Sequence, residues 1–199
     1  MKVAIILKSP ELLDVVEESV VIYADGAYKH KEKVGEKQVL AVVGDFDSLG
    51  KAPADENIVG LSVEKDFTDG EICIRHAIEN GILDIVIYGA YGGKIEHILG
   101  NIALLKIAKD LGAKAIIKDG NNITQLMSED IELSVKNGGL VSIIPYGGGC
   151  EFIDSKGLYY PLNGLTLTNA DTRGISTVAT SENIKINIKS GQALIIYEK

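Results

Sequence analysis

Val39-Leu40-Ala41-Val42-Val43-Gly44-Asp45-Phe46-Asp47-Ser48 is an apolar run that ends in two acids one residue apart. Five apolar residues bounded by a glycine have the length and content of a buried strand. Similar runs recur at Lys2–Leu7, Val20–Ala24, Asn57–Val63, Asp84–Tyr88 and Lys114–Lys118. Helical patterns separate them. Leu12, Leu13, Val15 and Val16 fit a short helix over Pro10–Ser19. Thr68 and Glu71 have the spacing of a capping box, ahead of a helix that stops at Asn80-Gly81. A third helix runs from about Glu96 to Leu111, with an apolar face of Ile98, Leu99, Ile102, Leu105 and Leu111, and stops at Gly112. Alternating strands and helices predict an α/β domain with a mainly parallel, doubly wound sheet.

The texture changes after about Asn121. Short β-prone runs at Asn122–Met127, Leu140–Pro145, Leu158–Tyr160, Ile184–Ile188 and Ala193–Tyr197 alternate with glycine-rich turns. No long helical period remains. The expected division is an α/β domain over 1–122 and a small all-β, sandwich-like domain over 123–199.

Composition narrows the function. The 199 residues carry a net charge of −8, and most of the excess lies in residues 1–122, with 20 acids against 14 bases. That balance excludes a sequence-independent nucleic-acid binder, which needs a basic footprint. The longest apolar runs fall far short of the roughly 20 residues of a membrane span. Met1-Lys2 leads straight into a strand, without a signal-peptide pattern. Cys73 and Cys150 read as buried apolar residues, not as a disulfide framework. The expected setting is the cytoplasm, with no membrane partner.

Ligands of open α/β sheets bind where strands end. Asp45 and Asp47 leave a strand together, which suits either a hard cation with substrate phosphates or a solvated polar turn. Asp25 ends another strand. Asp66 lies just outside the second helix and Asp69 in its first turn, where acids also favour the helix dipole. Gly89-Ala90-Tyr91-Gly92-Gly93-Lys94 joins a strand to the third helix. It is a tight turn or a phosphate cradle, and its spacing is not that of a P-loop. Glu96, His97 and Asn101 follow, with His97 and Asn101 on one helical face. His30 and His76 are expected on the surface.

These pieces in this order resemble the bacterial type of the thiamine pyrophosphokinase family. Its pattern is matched by Ala24-Asp25-Gly26, Gly44–Ser48, Asp66–Glu71, Gly89–Asn101, Gly157-Leu158-Tyr159-Tyr160-Pro161-Leu162 and Gly174-Ile175-Ser176-Thr177. The resemblance implies a catalytic α/β domain followed by a β-sandwich for thiamine binding and dimerisation. It implies a homodimer that moves a pyrophosphoryl group from ATP to the thiamine hydroxyl, giving thiamine diphosphate and AMP. Asp45, Asp47 and Asp69 would hold Mg²⁺ and phosphate, with Asp25 and Glu96 joining the catalytic acids. Asp66, Gly92, Gly93, Lys94, His97 and Asn101 would serve the nucleotide and phosphates, and Ser176 and Thr177 the thiamine. Glu96 stands where the family has Asp, Thr177 where it has Asn, and Ala27-Tyr28 where it has a glycine-rich continuation.

Three other readings stay open. Asp45-Phe46-Asp47-Ser48 resembles the nucleophile motif of haloacid-dehalogenase-like phosphatases. The Glu96 and Thr177 departures suit a non-catalytic thiamine- or nucleotide-binding relative. The same transfer onto another alcohol, such as a pterin, is the third.

Overall fold

A computed structural model describes residues 1–12, 14–46, 57–60 and 66–199. The chain divides into two compact units, Met1–Gly120 and Asn121–Lys199.

The first unit contains β1 (Lys2–Ile6), β2 (Val20–Ala24), a 3₁₀ turn over Asp25–His30, α1 (Lys31–Val34) and β3 (Gln38–Gly44). It continues with β4 (Ile58–Gly60), α2 (Asp69–Glu79), β5 (Asp84–Tyr88), α3 (Ile95–Asp110) and β6 (Lys114–Asp119). Strand order is β6-β5-β1-β2-β3-β4, and every neighbouring pair is parallel. From β1 the chain builds outward to β4, then crosses back to place β5 on the other side. The order therefore reverses between β1 and β5, and a crevice opens beyond their carboxyl ends.

The continuous apolar runs follow from burial on both faces. Val3, Ala4, Ile5 and Ile6 are all fully buried. On one face, Ala4, Ile6, Val21, Tyr23, Val42 and Tyr88 pack with Leu12, Val16, Ala27, Val34 and Phe46. Helix α2 packs on β1, β2 and β3, and α3 on β6. Thr68 caps α2, its Oγ1 accepting the Glu71 N–H at 3.3 Å. Glu71 does not reach back to close the box; its carboxylate takes the Arg75 guanidinium at 2.7 Å.

Residues 10–19 are not helical among the described positions, contrary to the apolar pattern. Their acids are claimed by distant partners instead. Glu18 accepts the buried Tyr88 hydroxyl at 2.8 Å, Glu17 pairs with Lys118 at 2.8 Å, and Asp14 accepts the Gly120 N–H at 3.2 Å. A weak local propensity loses to these long-range contacts. Leu13 and positions 61–63 of the expected fourth strand lie outside the described residues.

The second unit is all β: β7 (Asn122–Met127), β8 (Ile131–Ser134), β9 (Leu140–Pro145), β10 (Cys150–Lys156), β11 (Thr166–Leu167), β12 (Thr177–Val178), β13 (Asn183–Ser190) and β14 (Ala193–Glu198). Strands β12-β9-β14-β7 form one antiparallel sheet and β11-β10-β13-β8 another. Alternate residues of β13, Ile184, Ile186 and Ile188, are buried, as are Val141 and Ile143 of β9. This is the sandwich-like pattern of two half-buried sheets. Leu158–Tyr160 is not a strand; only a single bridge, Leu158 to Ala179, forms there. Both tyrosines of that segment are exposed.

Candidate functional site

Four parallel strands end at one edge of the first unit. Lys8 follows β1, Asp25 follows β2, Asp45 follows β3, and Gly89 follows β5. Helix α2 begins beside them with Asp69, and α3 with Glu96 and His97.

A cleft of about 300 Å³ opens at this edge, lined by Lys8, Asp25, Thr68, Asp69, Glu96, His97 and Asn101 among others. Five of the sequence-derived candidates, Asp25, Asp69, Glu96, His97 and Asn101, thus come together from three separate segments. Asn101 also ties the site together, donating from Nδ2 to the Ala90 carbonyl at 2.9 Å. One end of α3 is thereby fixed to the glycine loop. A second hollow, of about 430 Å³, is lined by Lys8, Lys29, Gly92, Gly93, Lys94 and His97. Lys8 and His97 border both.

Asp45 and Asp66 do not line either hollow. Asp45 is half-buried just after Gly44, which packs directly on Asp25: a Cβ at Gly44 would lie 2.8 Å from the Asp25 Cβ. Asp47 lies outside the described residues. Among the described residues, no three His, Cys, Asp or Glu side chains converge into a closed metal site.

Backbone strain marks the same places. Asp25 (φ 44°), Phe46 (φ 60°) and Ser176 (φ 59°) are the non-glycine residues with positive φ among those described. Such conformations are costly for side chains with a Cβ and persist only where packing imposes them. Phe46 buries its ring in the core, which holds the backbone just after Asp45 in this conformation. Asp25 opens the 3₁₀ turn, with the Lys8 ammonium 3.7 Å from Oδ2.

The glycine loop is shaped by close approach. Gly89 (φ 70°) has no room for a Cβ, which would meet the Leu7 carbonyl oxygen at 2.7 Å and Ser9 Oγ at 2.9 Å. The Leu7–Pro10 segment is held on its other side by His30, whose Nε2 lies 3.1 Å from the Ser9 carbonyl. His30 is buried, not on the surface as its sequence setting suggested. Burial holds its pKa below the usual 6.5. A neutral imidazole that keeps its Nε2 proton for the carbonyl satisfies both constraints.

In the second unit, Ser176 is exposed and its N–H donates to Ser142 Oγ at 3.0 Å. Thr177 is buried, and its hydroxyl accepts the Tyr160 N–H at 3.1 Å. The Tyr159 N–H donates to the Val178 carbonyl. The exposed rings of Tyr159 and Tyr160 meet edge to face, 4.9 Å between centroids.

Lys8, Ser9 and Lys29 escaped the sequence reading. Lys8-Ser9 does follow an apolar strand, and the strand-end rule that singled out Asp25 and Asp45 applies to it equally. Lys29 carries no sequence signal, because only the 3₁₀ turn brings it to the hollow.

Residues 14–117 match the family model described as thiamin pyrophosphokinase, catalytic domain, which is just over half of the chain. Residues 128–193 match the thiamin pyrophosphokinase vitamin B1 binding domain. The chain belongs to the thiamine pyrophosphokinase family. A curated family member, thiamine pyrophosphokinase of Bacillus subtilis (strain 168), is 32% identical over 145 residues. That alignment covers 67% of this chain and 66% of the relative, just under two thirds of its length. The crystal structure of the B. subtilis thiamine pyrophosphokinase superposes with a TM-score of 0.87 at 24% identity, covering 100% of this chain and 99% of that one. The yeast thiamin pyrophosphokinase gives 0.76 at 12% identity, over 99% and 86% of the two chains. At such identities the likeness to solved structures speaks for the fold. The cleft residues Asp25, Asp69, Glu96, His97 and Asn101 all fall inside the catalytic-domain match, whereas Lys8 and Ser9 precede it.

Proposed function

We propose that this chain transfers the β,γ-pyrophosphoryl group of ATP to the hydroxyl of thiamine, giving thiamine diphosphate and AMP. Family membership supports the overall reaction. The single observation that carries the site is the convergence of Asp25, Asp69, Glu96, His97 and Asn101 at the sheet's switch point. In the reaction the thiamine oxygen bonds to the β-phosphorus, the bond from that phosphorus to the α,β-bridging oxygen breaks, and the hydroxyl proton leaves.

The chain's share of this work is positioning and charge placement. Carboxylates lining the cleft receive the hydroxyl proton, and Asp25, Asp69 and Glu96 are the candidates. Gly92 and Gly93 let the backbone approach phosphate oxygens, and Lys94 supplies positive charge beside them. His97, Asn101 and Asp66 serve the nucleotide.

Mg²⁺ would be held by Asp45, Asp47 and Asp69. The donor chemistry fits: the groups offered are carboxylate oxygens, and Mg²⁺ usually takes only one or two from the protein, with water and substrate phosphates completing its shell. Bound there, the cation would neutralise the polyphosphate and polarise the attacked phosphorus.

The β unit is read as the thiamine-binding and dimerisation domain, with Ser176 and Thr177 at the thiamine site. The exposed Tyr159–Tyr160 pair, tied by backbone to Thr177 and Val178, offers an aromatic surface in a chain without tryptophan. A homodimer through this unit is supported by its exposed apolar side chains Ile153 and Ile175. A cytoplasmic setting suits two buried thiols that are not joined in a disulfide.

Incubation with thiamine, ATP and Mg²⁺ tests the reading. AMP and thiamine diphosphate are expected in equal amounts. ADP, free phosphate or an aspartyl-phosphate at Asp45 would overturn it.

A further inference from the structure

Lys8 occupies an unusual position. It leaves β1 at the switch point, borders the acidic cleft and the basic hollow together, and precedes the stretch matched to the catalytic-domain family. Its side chain is 57% exposed, whereas that of Asp25 is 9% exposed. The 3.7 Å between Lys8 Nζ and Asp25 Oδ2 is the outer range of an ion pair, longer than a charge-assisted hydrogen bond. A long contact whose ammonium is still in water holds weakly, and the lysine is readily exchanged to a better partner.

The better partner is a polyphosphate. Lys29 and Lys94 line the same hollow as Lys8, with Gly92, Gly93 and His97. No carboxylate is among the described residues lining it. Three ammonium groups on a concave, acid-free surface attract oxyanions, and their field adds. The adjoining cleft carries Asp25, Asp69 and Glu96 and repels them.

We propose that Lys8 is a phosphate-binding residue that changes partners. In the free protein it pairs with Asp25; when a nucleoside polyphosphate enters, it moves to the phosphate oxygens beside Lys29 and Lys94. The exchange takes the lysine from the Asp25 carboxylate at the moment substrate arrives, and so couples nucleotide entry to the charge beside that acid. This rests on the reading of the site as a pyrophosphokinase, but its test is made in binding and is independent of turnover.

Pyrophosphate without metal is the probe, titrated calorimetrically into the wild type, Lys8→Met, Asp25→Asn and the double variant. Lys8→Met should weaken binding about tenfold, the size of a lost charge-assisted contact, and Lys8→Arg should restore most of it. Asp25→Asn should tighten binding about threefold by removing a competitor for Lys8 and a repulsive charge. Most of that gain should vanish when Lys8 is already Met. In turnover, Lys8→Met should raise the KM for ATP and leave that for thiamine unchanged. Unchanged pyrophosphate affinity in Lys8→Met, or a full Asp25→Asn gain in the double variant, overturns the proposal. If the wild type makes no AMP or thiamine diphosphate, the reaction assignment fails, while the binding cycle still decides the role of Lys8.

Discussion

Gly44 and Asp25 touch through space where neither could be exchanged freely. A Cβ on Gly44 would stand 2.8 Å from the Asp25 Cβ and 2.9 Å from its Cα, far inside van der Waals contact. Asp25 already holds a left-handed φ of 44°. The glycine that precedes Asp45 therefore has a reason besides turning the chain: it gives the acid at the end of β2 its room.

Gly44→Ala should consequently displace Asp25 or the end of β3. Overpacking of this kind costs about 1–3 kcal/mol. Urea denaturation should show that loss, with a fall in kcat larger than any change in the KM for thiamine. A variant with wild-type kcat would show that Asp25 tolerates displacement.

Asp69 sits in the first turn of α2 and lines the cleft. Asp69→Asn removes a charge from the proposed metal and phosphate group and should lower kcat at least ~100-fold. Its structural cost is a helix-dipole contact of no more than about 1 kcal/mol, so the thermal midpoint should barely move. The same loss is expected of Asp47→Asn. Near-normal turnover would remove the residue concerned from the site.

His30 makes stability depend on pH in a definite direction. Burial lowers its folded pKa below the unfolded 6.5. Between those two values the unfolded chain binds more protons than the native one. Its contribution is therefore complete above pH 6.5 and is lost as pH falls toward the lower folded value. His30→Gln keeps a donor for the Ser9 carbonyl but does not titrate. Denaturation at pH 7.5 and 5.5 should show a smaller loss on acidification for the variant than for the wild type.

Cys73 and Cys150 are fully buried and form no disulfide, and burial pushes the Cys150 thiol up to about 11. Only thiolate reacts at a useful rate. An aromatic disulfide reagent at pH 8 should leave both untouched in the native protein and titrate both in guanidinium. Rapid native reaction would show local opening around one of them.

Gly174 protects the second unit in the same way that Gly44 protects the first. Any Cβ there would run into the Ile143 carbonyl, which lies in the β9 strand that Gly174 itself hydrogen-bonds. Gly174→Ala should destabilise by about 3 kcal/mol or more, since the obstacle is backbone and cannot rotate away. Calorimetry should show the loss, and a thermal midpoint within a degree of wild type would refute it.

Much of the architecture was legible because it is local. Uninterrupted apolar runs named the parallel strands, Thr68 named the start of α2, and Gly112 closed α3. Four strands escaped: β11 and β12 are two residues long, and β8 and β10 carry charges such as Glu132, Glu151 and Asp154, so no apolar run announces them. Leu158–Tyr160 failed in the opposite sense: its aromatics are β-prone, yet they stand exposed with one bridge between Leu158 and Ala179. The residues 10–19 misled because their apolar spacing is helical while their acids are bound some 70 to 106 positions away.

By itself the sequence determined the acidic balance, the order of motifs and the types of residue at each strand end, since these are written in composition and spacing. It could not say which strand ends become neighbours, because that depends on the strand order that reverses between β1 and β5. Only the tertiary structure brought Lys8 against Asp25, set Gly44 beneath the same acid, and buried His30 behind Ser9. Each of these joins segments separated along the chain, and the physical reason is the same in all three: close packing leaves room for one arrangement, and sequence spacing carries no record of it.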